Sequence, residues 1–267
     1  MDGSKPPISA IDGSIPFDAE HSHLDDSARA ERRSGLLQVA VLTKRYGDQP
    51  ALADIAFEVN AGEVLGVIGP NGAGKTTLLE AVAGLLPVDA GDIAWCGSPL
   101  RLARRREVMF YLPDGIRPYQ DQPVARVLQF FAGVHRRSAD HVADTVAALG
   151  LAPVLAKRVQ ALSKGYNRRL LLALALIAPQ PLVLMDEPFD GFDLRQVRAI
   201  AGVLRREAAN GRALVLAIHQ LNDAERVCDR FILLSGGRVC GAGALDQLRA
   251  RTGLPTATLE ELFLALT

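Results

Sequence analysis

The sequence predicts an α/β fold with a mainly parallel sheet, an antiparallel β subdomain and an inserted all-helical subdomain. Three observations predict it. A glycine-rich loop separates the apolar run at residues 64–68 from a stretch with helical apolar spacing. Further strand-length apolar runs at 108–112, 182–185 and 214–218 alternate with amphipathic helical stretches, the pattern of a parallel sheet covered on both faces. Between 123 and 178 the period is helical throughout, whereas residues 37–41 and 55–59 alternate with a period of two.

The loop is Gly69, Pro70, Asn71, Gly72, Ala73, Gly74, Lys75 and Thr76, followed by Thr77, and fits G-x-x-x-x-G-K-[ST]. Val64, Leu65, Gly66, Val67 and Ile68 before it read as a buried strand; Leu78, Leu79, Val82 and Leu86 after it share one helix face. A strand on one side and a helix on the other is the context this motif requires, and it makes the core that of a P-loop NTPase. The glycines let the backbone curl and aim N–H groups at an anion, and the helix adds the positive end of its dipole. Lys75 would set a point charge against the β- and γ-phosphates, and the Thr76 hydroxyl would offer a hard oxygen to Mg²⁺.

A chain of 267 residues with 49% hydrophobic residues can bury a sizeable core. Thirty basic and thirty acidic residues cancel, so the overall charge does not argue for nucleic acid or an anionic membrane surface, and no nucleic-acid partner is expected. The longest strictly apolar run, residues 170–178, would span about 14 Å as a helix against a hydrocarbon core of about 30 Å. No secretory signal pattern opens the chain, so a cytoplasmic location is expected. Cys96, Cys228 and Cys240 lack metal-ligand spacing and read as reduced packing residues.

Residues 1–35 mix Pro, Ser, Gly, Asp and Arg without a sustained apolar period and read as a flexible extension, with His21 and His23 solvated; residues 36–267 form the domain, with the helical subdomain inserted at about 115–178. Leu37, Val39 and Val41 mark one strand and 55–59 a second, antiparallel to it. Tyr46 follows the first strand, where its ring could stack on a base or simply pack. Gly84 to Pro87 is a helix stop, and 92–95 a short strand. Arg101 and Arg104 to Arg106 form a basic cluster, readable as a solvated helix face or as a phosphate or lipid contact. Val124, Val127, Leu128 and Phe131, then Val142, Val146 and Leu149, line helix faces in the insert. Val197, Ile200, Ala201 and Leu204 face another helix closed by Asn210 and Gly211; Ser235, Gly236 and Gly237 mark a hairpin; Thr258 and Glu261 have capping-box spacing.

The strand at 182–185 delivers Asp186 and Glu187 to its C-terminal end, the edge where open α/β sheets place ligands. Beside a phosphate loop, Asp186 can hold Mg²⁺ and Glu187 can orient or deprotonate an attacking water.

With these elements in order, residues 36 to about 245 resemble the ATP-binding cassette (ABC) family, as the ATP-binding subunit of a transporter of the exporter-like, single-cassette type. The resemblance implies ATP and Mg²⁺ as cofactors and ATP hydrolysis coupled to transport. It makes GPNGAGKTT at 69–77 the Walker A loop, LVLMDEP at 182–188 the Walker B strand with Glu187 as catalytic glutamate, His219 the switch histidine, Tyr46 the adenine-stacking aromatic, and Gly191, Phe192 and Asp193 the loop that crosses a dimer interface. The family's LSGGQ signature corresponds to Leu162, Ser163, Lys164, Gly165 and Tyr166; Leu234 to Gly237 spells it better but lies after His219 within a hairpin, and is set aside. Ser163, Lys164 and Gly165 would then reach the γ-phosphate held by a second copy or a related ATPase subunit.

Two residues depart from the family pattern. Asp114 stands at the glutamine position after the strand 108–112, as a Mg²⁺ ligand one methylene shorter, and Lys164 replaces a signature glycine. Lys164 is expected to offset the charge of Asp114 across the dimer. A separate transmembrane permease is expected to dock near residues 114–123, placing the chain peripherally on the cytoplasmic face of a membrane. The tail with Leu259, Glu260, Glu261, Leu262 and Phe263 looks like that of two-component exporter ATPases. The alternative is a non-transport ABC ATPase or a slow, regulatory ABC subunit.

Overall fold

The computed structural model describes residues 35–267, so the reading of residues 1–35 as a flexible extension, with His21 and His23, lies outside the described residues except at Gly35, which is buried. Strand β1 (Leu37–Tyr46) turns at Gly47 into the antiparallel β2 (Gln49–Val59), each longer than the alternation alone marked out. Strand β3 (Val64–Ile68) is buried along its whole length and feeds helix α1 (Lys75–Ala83), which ends at Gly84 in the left-handed conformation. Leu86 therefore lies beyond the helix whose face the spacing assigned it to.

Strands β4 (Ala90–Trp95) and β5 (Ser98–Pro99) precede the short α2 (Arg105–Val108) and strand β6 (Met109–Leu112). The basic cluster divides here. Arg101, Arg104 and Arg106 are exposed, whereas Arg105 is half-buried and its Nη1 donates to the carbonyls of Ala81 and Val82, satisfying the orphan C-terminal groups of α1. A helix end, and neither lipid nor phosphate, takes its charge.

The insert has no helix before α3 (Val124–Val134), which is followed by α4 (Ala139–Ala148) and α5 (Lys164–Ile177). Ser138 and Ser163 are the N-caps of α4 and α5, each accepting from a backbone N–H three residues on. The far end of α5 is held by two arginines: Arg137 donates to the Ile177 and Ala178 carbonyls and Arg212 to those of Ala175, Leu176 and Ala178. Pro179 then prevents continuation.

The chain continues through β7 (Leu182–Asp186), α6 (Leu194–Ala209), β8 (Ala213–Ile218), α7 (Leu221–Val227), the hairpin β9 (Arg230–Ser235) and β10 (Arg238–Gly243), α8 (Leu245–Thr252) and α9 (Leu259–Leu266). Thr258 and Glu261 form the reciprocal capping box that their spacing announced.

Among the described residues two sheets form. One runs β10-β9-β3-β8-β7-β6, parallel except for the β9–β10 hairpin; the other runs β2-β1-β4-β5 and is antiparallel. Alternation along the parallel strands builds two cores. Leu65, Val67, Leu184 and Val215 face α1 and the antiparallel sheet, while Ile68, Met185, Leu216 and Ile218 face α5 and α6. The parallel sheet is thus covered on both faces, and every parallel strand ends at the same edge.

Among the described residues the cysteines are free, and burial separates them. Cys228 is buried against β3, where a Cβ at Gly66 would approach its Sγ to 2.9 Å, and Cys240 is half-buried. Cys96 is exposed in a turn at φ 48°, so it is not the packing residue its chemistry suggested.

Candidate functional site

The edge where β3, β7 and β8 end carries the site. Gly69 must be glycine, because a Cβ there would stand 2.4 Å from the Leu234 carbonyl oxygen; Gly74 has φ 102° and would bring a Cβ within 2.7 Å of the Ala51 carbonyl oxygen. The loop is therefore clamped between the start of β2 and the β9–β10 turn. Lys75, the first residue of α1, is buried, and its Nζ donates to the carbonyls of Gly69 (2.8 Å) and Pro70 (3.3 Å). The ammonium spans its own loop, 3.8 Å from Glu187 Oε1.

Thr76 Oγ1 donates to Asp186 Oδ2 at 2.6 Å, joining the start of α1 to the end of β7. Asp186 Oδ1 is buried and has no partner among the described residues. Burial, opposed by the Thr76 hydrogen bond, pushes the Asp186 carboxyl above its ordinary range. A buried carboxylate oxygen with nothing to accept, beside a hydroxyl, suits a hard cation that keeps water and phosphate oxygens as its remaining ligands. The residues present fit Mg²⁺.

Glu187 adopts φ 48°, a conformation costly for a side chain with a Cβ and concentrated at functional positions. Its N–H donates to the Ala217 carbonyl, and Oε2 accepts from His219 Nδ1 at 2.6 Å, which fixes the imidazole proton on that nitrogen. Lys75, Glu187 and His219 form one chain of contacts across three strand ends.

Beside these groups lies a cavity of about 440 Å³, lined by Lys75 and Glu187 but not by His219. Asn71, Gly72, Gly74, Lys75, Thr76 and Thr77 line it from the loop, with Asp114, Asp186 and Glu187 opposite. Four further lining residues escaped the sequence reading: Pro50 and Ala51 at the start of β2, and Gly236 and Gly237 in the hairpin turn. The hairpin at 235–237 follows from the sequence, but its contact with the phosphate loop does not. Gly237 N donates to Ala73 and its carbonyl accepts from Ala53, bonds between segments far apart in sequence. Tyr46 does not line the cavity. It is 55% exposed, with Lys44 Nζ 5.5 Å from its ring centroid.

Asp114 lines the cavity, yet its Oδ1 accepts from Arg168 Nη2 at 2.5 Å, an ion pair within the chain. Lys164 is 69% exposed; its Nζ lies 2.9 Å from Asp190 Oδ2 and its stem covers Gly191, where a Cβ would meet the Lys164 Cδ at 2.9 Å. Its cation therefore serves Asp190 of its own chain. Ser163, Lys164 and Gly165 sit at the N-terminus of α5 and do not line the cavity. Asp193 caps α6 by accepting from Gln196 N at 2.8 Å, with Gly191 and Phe192 in the turn before it.

Comparisons with known proteins identify the family. The model of the ABC transporter family matches residues 52–190, more than half of the chain. An uncharacterised ABC transporter ATP-binding protein of Methanocaldococcus jannaschii is 31% identical over 216 residues, 79% of each chain. A Nod factor export ATP-binding protein I of Rhizobium etli is 35% identical over 208 residues, covering 76% of this chain and 66% of that protein's own length. The solved structure of an ATP-binding subunit of an ABC transporter superposes with a TM-score of 0.78 at 32% identity, covering 86% of this chain and 99% of that one. The phosphate loop, the Asp186–Glu187 strand end and these likenesses together place the chain in the ABC transporter family, among its nucleotide-binding P-loop ATPase subunits.

Proposed function

We propose that the chain binds ATP with Mg²⁺ in the 440 Å³ cavity, hydrolyses it, and couples the cycle to export through a separate membrane permease. One observation carries the reading: Lys75, the Thr76–Asp186 pair and Glu187 converge on one cavity from the ends of β3 and β7, with His219 at the end of β8 bonded to Glu187 behind them. The backbone of 69–77 and Lys75 hold the phosphates, while Thr76 and Asp186 hold Mg²⁺, with Asp114 at the same wall. Bound by these residues, Mg²⁺ would supply polarisation of the phosphoryl oxygens and offset their charge. Glu187 takes the proton of the attacking water or orients it, and His219, held by Glu187, reaches toward the γ-phosphate. Tyr46 serves as the base platform once nucleotide is bound, its exposed ring being free to stack.

Ser163, Lys164 and Gly165 support a dimer, since the N-terminus of α5 offers its donors away from the chain's own cavity; a second copy or a related ATPase subunit would present ATP to it. Permease docking is supported near 114–123 by exposed Ile116, Tyr119 and Phe130 on the loop and on α3. Among the described residues no helix is long and apolar enough to cross a membrane, so the peripheral location on the cytoplasmic face rests on that partner. Export is favoured by the likeness to the Nod factor export ATP-binding protein. ATP turnover by the purified chain, lost in Glu187→Gln with ATP binding retained, tests the reading; undiminished turnover in that variant overturns the role of Glu187.

A further inference from the structure

Asp114 is a wall shared by two cavities: the one at the phosphate loop and a second of about 310 Å³ lined also by Arg117, Lys164, Asn167, Arg168 and Asp190. The residue that holds this wall is Arg168, on the first turns of α5. Its side chain is 6% exposed, against 50% for Asp114. Nη2 donates to Asp114 Oδ1 at 2.5 Å and stands 3.7 Å from Asp190 Oδ2, and Nη1 is buried with no partner among the described residues. Lys164, one turn earlier, pairs with the same Asp190 carboxylate, its Nζ 2.9 Å from Oδ2 and 3.1 Å from Oδ1. A buried guanidinium is costly unless a carboxylate answers it, so the pair is built and not incidental.

We propose that Arg168 is a positioning residue of the ATP site: it holds Asp114 on the α5 side of the cavity and cancels its charge, so that the phosphates meet Asp186 and Glu187 without a third negative charge. The inference rests on the ATP reading of the cavity. It also replaces the expectation that Lys164 offsets Asp114 across a dimer, because the offsetting cation lies in the same chain. Removing Arg168 has effects of opposite sign with and without metal. Without Mg²⁺, the bare Asp114 carboxylate repels the phosphates; with Mg²⁺, the same charge favours the ion.

The test is the Kd of ATP for the full chain, measured in EDTA and again with Mg²⁺, for Arg168→Gln, Arg168→Lys, Asp114→Asn and the Arg168→Gln/Asp114→Asn double variant. Arg168→Gln is expected to weaken metal-free binding on the order of tenfold, the size of a unit charge acting across a partly buried site, and to widen the gain from Mg²⁺. Arg168→Lys keeps the parent pattern; Asp114→Asn, which leaves the Arg168 charge unopposed, tightens metal-free binding and narrows the gain; and the double variant, with both charges gone, returns toward the parent. Equal shifts with and without Mg²⁺ in Arg168→Gln, or no shift in Asp114→Asn, overturn the proposal. Should Arg168→Gln not fold, the half-exposed Asp114→Asn decides. Lys75→Ala separates the two readings: parental ATP binding there overturns the ATP site itself, whereas lost binding there with an unmoved Mg²⁺ gain in the other variants overturns only the role of Arg168.

Discussion

The phosphate-loop end of the molecule and the signature end are both built from polar residues at helix N-termini, yet they differ in completeness. At the loop, Lys75 is buried, its ammonium already satisfied by two carbonyls, and Thr76, Asp186, Glu187 and His219 are joined across three strand ends. At the N-terminus of α5, Ser163 and Lys164 are exposed, and the Ser163 hydroxyl accepts only a long 3.4 Å bond from Tyr166 N. The first is a site whose parts hold one another. The second is a set of donors on a well-anchored helix, with Arg137 and Arg212 fixing its other end. The difference teaches that the loop end is held together within this chain, whereas the donors at α5 gain a ligand only under the proposed dimer.

The largest expected effect breaks the complete end. Lys75→Ala should weaken ATP binding by roughly a hundredfold or more, because a buried charge-assisted contact to the phosphates is lost; isothermal calorimetry reads it, and an unchanged Kd would remove Lys75 from the site. Glu187→Gln should slow hydrolysis by at least about 10²-fold with ATP affinity retained, the size of a lost general acid–base group. Its steady-state turnover beside its Kd separates chemistry from binding.

The anchored far end of α5 comes next. Arg212 is half-buried and held to Glu207 at 3.1 Å besides the carbonyls of Ala175, Leu176 and Ala178, and burial lowers its pKa. Arg212→Ala should cost about 3 kcal/mol, the scale of a broken buried charge network, read by urea denaturation. A loss below about 1 kcal/mol would show that α5 does not depend on this anchor. Ser163→Ala at the exposed end should cost only about 1 kcal/mol through its cap, so a stability loss equal to that of Arg212→Ala would erase the contrast between the two ends. Smallest of all, Lys164→Ala should change stability by at most about 1 kcal/mol, as expected of an exposed ion pair.

The sequence made the complete end legible for a physical reason. A glycine pattern, a lysine and a strand-end acid pair are local requirements of one anion site, each written within a few residues, so 64–77 and 182–187 could be read one segment at a time. What escaped is non-local. Gly236 and Gly237 touch the loop only because β9 lies beside β3, and Arg168 meets Asp114 across 54 residues of chain; no spacing rule encodes either contact. Arg105 misled for a similar reason, since the carbonyls it caps lie in a helix that ends 22 residues before it. Tyr46 rests on the family resemblance alone, and its ring is exposed outside the cavity lining.

The central claim, that each chain supplies half of two composite ATP sites, is tested most directly by the mass of the Glu187→Gln variant in sedimentation velocity, with and without ATP and Mg²⁺. A dimer formed with ATP and Mg²⁺ is the predicted result, returning to monomer when Ser163→Arg is added to block the α5 terminus. A chain that binds ATP yet keeps one mass in all conditions, or a dimer indifferent to Ser163→Arg, would contradict it.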